Sequence, residues 1–160
     1  MQSQELRKFA RDVRAALAAA VSGFVLAGAG VWAAVSGHEA AIGGAICAGV
    51  CGAVVGSTIG VIGASVFSLN RASFAGAVIL GLPAAVLIPI FPLKVHEMIW
   101  LWAALSSFGS VVAQTGAIAA GNLADRSTAP QRRQFSLRQM LAIFIPVAIF
   151  LGYLSHFAQR

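Results

Sequence analysis

Few side chains in this chain of 160 residues can do chemistry: five are acidic, eleven are Lys or Arg, three are His and two are Cys. Cys47 and Cys51 stand at i, i+4 and share a helix face, but a metal site needs further ligands and no second cysteine pair supplies them. Buried small hydrophobes is the reading they fit. Gln114 and Thr115, with Ser106, Ser107 and Ser110 a turn or more before them, could line a polar path or hold a ligand headgroup. The plainer reading is that they hydrogen-bond between helices. His38, Glu39, His96, Glu97 and His156 are the candidates for a divalent metal or a pH-sensitive cluster, with Lys94 nearby, since imidazole suits zinc and titrates near neutrality. There is no H-E-x-x-H helix, no G-x-S-x-G elbow and no glycine-rich loop ending in Lys-Ser or Lys-Thr. Without a nucleophile and base, neither an enzyme nor a cofactor is expected.

The elements that must position these residues are set by composition. Hydrophobic residues make up 59% of the chain and charged ones only 10%, against roughly a quarter charged in soluble proteins, which excludes a soluble globule. Asp, Glu, Lys and Arg are missing from Ala15 to His38, Ala40 to Asn70, Ala72 to Leu93, Met98 to Ala124 and Gln139 to Gln159. These runs hold 24, 31, 22, 27 and 21 residues, and a helix needs about 20 to cross a bilayer. Lipid offers no hydrogen bonds, so only helices or a closed barrel can span it. Barrel strands alternate polar and apolar residues, whereas these runs are apolar on both parities. The expected fold is an all-α integral membrane bundle of five transmembrane helices, over roughly residues 15–36, 41–69, 73–92, 99–122 and 139–157. No soluble domain fits, because the longest polar connection runs only from Asp125 to Arg138.

Basic residues orient the bundle. With the N-terminus cytoplasmic, the inner segments carry Arg7, Lys8, Arg11, Arg14, Arg71, Arg126, Arg132, Arg133 and Arg138, and the outer ones only Lys94 and Arg160. That split obeys the positive-inside rule and leaves the C-terminus outside. The inner residues would also attract anionic lipid headgroups, by about 1 kcal/mol per basic side chain; no nucleic-acid partner is expected. Trp32, Trp100, Trp102 and Tyr153 then fall near the outer interface, where amphipathic rings settle. All three histidines fall there too. No span carries a charge near its middle, which argues against an ion-driven pump.

The N-terminal tail has two readings. Leu6, Phe9, Val13 and Leu17 recur at helical spacing, with the basic residues largely off that stripe, so a helix could lie along the cytoplasmic surface before turning inward. Alternatively, the tail is a topology signal that continues span one. Residues 1–36 share the outline of a secretory signal, but their apolar run exceeds the 7 to 15 residues of a signal core, and retention is expected.

The second run contains Gly49, Gly52, Gly56, Gly60 and Gly63, of which Gly52, Gly56 and Gly60 lie four apart on one face. Such a face admits another backbone closely, and van der Waals packing replaces the hydrophobic drive that lipid cannot supply. The neighbour is either within the chain or a second copy. As one helix the whole run would reach about 46 Å, so it must tilt, protrude or break near Gly43-Gly44. Pro83 is expected to kink span three, Pro89 and Pro92 to end it, and Pro146 to bend span five.

Ser136-Leu137-Arg138-Gln139 matches a capping box and sets the start of span five. The segment Arg133 to Leu141, followed by an apolar run to Gly152, resembles a Phe-Ser-Leu-Arg stretch before a spanning helix in uncharacterised planctomycete membrane proteins. Gln139-Met140-Leu141 departs from the usual Thr-Leu-Leu of that stretch. The likeness covers about 20 residues and implies insertion into a bacterial inner membrane and no particular chemistry.

Two functions follow as expectations. The first is a non-catalytic bundle with an assembly or accessory role, packing through its glycine face with itself or with another membrane protein. The second is a passive channel or small transporter lined by spans three and four.

Overall fold

The computed structural model describes residues 2–35, 41–65, 69–120 and 137–158. They form five α-helices: α1 (Gln2–Val35), α2 (Ala41–Ser65), α3 (Leu69–Leu87), α4 (Val95–Ala119) and α5 (Leu137–Ala158), with a 3-10 turn at Ile88–Ile90. No strand occurs among the described residues, and the chain is an all-α bundle. Helices α1 to α4 are each long and apolar enough to cross a membrane. α5 has 22 residues and carries the apolar stretch Ile143–Tyr153.

α1 is one unbroken helix of 34 residues, about 51 Å at 1.5 Å per residue, well beyond a hydrocarbon layer of about 30 Å. The basic tail is therefore the first turns of that helix, not a separate surface helix that turns inward. Leu6, Phe9, Val13 and Leu17 form an exposed stripe on it. Arg11 bonds to Asp12 at 2.9 Å and Arg14 donates to the Ala10 carbonyl at 3.2 Å, so both guanidinium groups fold back onto their own helix.

The Ala40–Asn70 run is not one over-long helix broken at its paired glycines. α2 passes through Gly43-Gly44 intact and stops at Ser65, and α3 starts at Leu69. At 25 residues α2 measures about 38 Å, much nearer the layer it crosses. Interrupting it at Gly43-Gly44 would strand backbone groups that lipid cannot satisfy. α3 continues through Pro83 and ends at Leu87, where Pro89 occupies the 3-10 turn and the Phe91 amide bonds the Ile88 carbonyl at 3.0 Å. α4 comes next, its start fixed by the Lys94 amide donating to Glu97 Oε2 at 3.1 Å. α5 begins at Leu137, where the capping signature places it; Ser136 itself lies outside the described residues.

α4 is the hub. Of its apolar span 56% is buried, against 17%, 28% and 22% for α1, α2 and α3, and it contacts all four other helices. α1 and α2 form an antiparallel pair: Gly28 lies against Ala45, Gly23 against Gly52, Ala19 against Gly56 and Ala15 against Gly60. α3 and α4 form a second, with Gly76 against Gly109 and Gly81 against Ser106. Although consecutive, α2 and α3 touch each other little, because both pack onto α4 instead. Ala19, Ile59, Ala72, Phe108, Val112, Ala113, Ala117 and Phe150 make up the core where the helices meet.

Candidate functional site: the small-residue seams

Small residues that the sequence concentrates on helix faces become, in the structure, three backbone-to-backbone seams. In the first, between α1 and α2, a Cβ on Gly52 would overlap the Gly23 carbonyl, and one on Gly23 would overlap the Gly52 carbonyl. The glycines therefore face each other, and neither tolerates even a methyl group. Gly56 lies against the Ala19 carbonyl, and Gly49 against the Phe24 ring, 2.8 Å from where its Cβ would be. The second seam joins α2 to α4 through Gly63 against Ala113 and Gly60 against Gly116. Gly60 belongs to both seams, since Ala15 and Ala19 press on it from α1. The third, between α3 and α4, pairs Gly76 with Gly109.

All five candidate packing glycines of α2 thus pack within the chain, which answers for this face the choice between an internal neighbour and a second copy. Their mates escape a reading of α2 alone, although the signal is present: Ala15, Ala19, Gly23 and Ala27 recur every four residues on α1, as do Gly109 and Ala113 on α4.

Polar side chains of α4 are drawn into the same seams. Ser110, 4% exposed, donates to the Ser73 carbonyl at 3.0 Å and also meets the Ser73 hydroxyl across the α3–α4 contact. Gln114 is 2% exposed and engaged within the protein. Thr115 spends its hydroxyl on the Val111 carbonyl of its own helix, at 2.8 Å. An interhelical hydrogen bond of this kind contributes about 0.6 to 2 kcal/mol in a membrane. Replacing Ser110 with Ala should therefore lower stability in bicelles by about 1 kcal/mol; replacing Thr115 with Val should cost less, and the two midpoints of thermal unfolding check this.

The outer cluster is only partly in view. His38 and Glu39 lie outside the described residues, and of His156 the structure describes only its place in α5. His96 and Glu97 are neighbours, 4.0 Å apart between Nε2 and Oε1. No group of three metal-binding side chains occurs among the described residues. Of the inner basic residues, Arg126, Arg132 and Arg133 lie outside them as well. Cys47 and Cys51 correct an expectation: both are exposed, not buried. The packing face of α2 is already taken by glycine, which turns the thiols outward.

Trp102 makes a contact that the sequence does not announce. Its indole Nε1 donates to the Gly81 carbonyl at 2.8 Å, tying α4 to α3. Trp100 packs near Gly152, so the start of α4 sits beside the end of α5, where the Phe150 and Tyr153 rings of that helix lie 6.4 Å apart.

Fold and seams together define a class, the all-α multi-pass membrane bundle held by close helix approach. Beyond that class, no family model, curated protein or solved structure matches the chain.

Proposed function

We propose that the protein is a non-catalytic bundle of a bacterial inner membrane with an assembly or accessory role. Its N-terminus is cytoplasmic, and its basic inner segments, including Arg7, Lys8, Arg11, Arg14 and Arg138, sit on anionic headgroups. The observation that carries this reading is the commitment of α4. The residues that would line a route, Ser110 and Gln114, are engaged and buried where α4 meets its neighbours. The glycine zipper of α2 likewise serves cohesion inside one chain, so a partner would be met by the outward faces of the bundle. The segment from Arg133 to Leu141 supports the bacterial setting by its resemblance, and the basic split supports the orientation.

Reconstitution tests the role. Purified protein in liposomes is expected to pass potassium, protons and small sugars no faster than protein-free vesicles, and to gain thermal stability when anionic lipid replaces zwitterionic lipid. Solute flux that scales with protein content would instead establish the channel reading.

A further inference from the structure

Pro83 lies inside α3, and having no amide hydrogen it leaves the Ile79 carbonyl without its i+4 donor, so the turn from Ile79 to Pro83 is where this helix can bend. Gly81 is in the middle of that turn and adds the freedom of a residue without a side chain. Beyond it α3 buries Ala84 and exposes Val86 and Leu87, and the 3-10 turn that follows buries Ile88 and exposes Ile90. The Trp102 indole reaches this same turn, donating to the Gly81 carbonyl at 2.8 Å. Ser106, one turn further along α4, points its hydroxyl at Gly81, 2.6 Å from where a Cβ would stand. That hydroxyl is buried and has no hydrogen-bond partner among the described residues.

We propose that the Ile79–Pro83 turn is a hinge for the C-terminal end of α3, that the Trp102 indole is its lock, and that Ser106 favours its opening. Closed, the hinge turn is clamped to α4 by one hydrogen bond while a neighbouring hydroxyl is left unsatisfied. Open, the clamp is lost and Ser106 gains access to water or to the Ile79 carbonyl. The two α4 side chains therefore bias one element in opposite directions.

Hydrogen exchange of the full chain in nanodiscs, read at the amides of Ala84 to Leu87, tests this. Trp102→Phe should speed their exchange about fivefold, the effect of losing one interhelical hydrogen bond. Ser106→Ala should slow it, and Pro83→Ala should slow it and make Trp102→Phe silent in the double variant. Acceleration by Trp102→Phe that persists unchanged with Ala at position 83 would overturn the proposal, as would no acceleration at all. Should Trp102→Phe fail to fold, the Ser106→Ala and Pro83→Ala arms decide it: both must slow exchange there while leaving α1 unchanged, and failure of either overturns the lock.

Discussion

Gly60→Leu should disrupt the bundle, whereas Gly43→Leu on the same helix should leave it intact. A Cβ at Gly60 would overlap Ala19 and come within 2.9 Å of the Ala15 carbonyl, and on the other side Gly116 of α4 lies against the Gly60 backbone. Three helices meet there, and the atoms that press on the site are mostly backbone, which cannot turn aside as a long side chain can. Overpacking a core commonly costs about 1 to 3 kcal/mol; with two rigid neighbours the loss at Gly60 is expected at about 3 kcal/mol or more. Position 43 has none of the described residues within 4 Å, so a leucine there should change stability by less than about 0.5 kcal/mol. Thermal unfolding followed by circular dichroism in mild detergent gives both values. Equal midpoints for the two variants would show that the seam around Gly60 does not hold the bundle.

The second large effect is expected at Phe108. This ring is 7% exposed and packs in the core with Val112, Ala19 and Phe150. In water-soluble proteins a Phe→Ala change in a core costs about 3 to 5 kcal/mol, part of it from lost transfer out of water and part from the cavity left behind. Within a bilayer the transfer part largely disappears, because the separated helices rest in lipid that is as apolar as the core. The cavity part remains, and Phe108→Ala should cost about 2 kcal/mol. Phe144 of α5, exposed on the bundle surface, provides the comparison. Phe144→Ala should be close to neutral, since lipid chains fill the space. Reversible unfolding in bicelles measures the difference, and a Phe144 variant as damaged as the Phe108 one would mean that α5 uses that face for packing.

The helices are legible in the sequence because backbone hydrogen bonding in lipid leaves so little choice: an uncharged apolar run long enough to cross becomes a helix. Boundaries are legible where chemistry marks them, as at Pro89 and at the Ser136–Gln139 signature, and drift by a few residues where nothing does, as at the starts of α3 and α4. The glycine face of α2 can be read because a series with no side chains has one physical use. Its mate cannot, since spacing tells how flat a face is and not which face it meets. Centrality of α4 also has a trace, in its mean hydropathy of 1.2 against 2.1 for α2 and α3. A helix sheathed by helices has less lipid to satisfy and can carry Ser107, Ser110 and Gln114. The expectation of burial fails at Cys47 and Cys51 because the habit of burying cysteine belongs to proteins in water, and lipid does not penalise an outward thiol. Trp102 carries the mark of an interfacial ring, but its hydrogen-bond partner 21 residues away depends on the register of α3 against α4.

The first seam is complete once the chain has been made as far as Ser65, for Gly23, Gly52, Gly56 and Ala19 all lie before that point. The α1–α2 hairpin can therefore lock together while the ribosome is still translating α3 to α5, and it presents a finished platform to those later helices. α4 arrives onto that platform bringing α3 with it, and α5 then packs on α4, α1 and α3. Biogenesis of this bundle thus has one waiting step: α3 touches α2 little and gains its main partner only when α4 follows it.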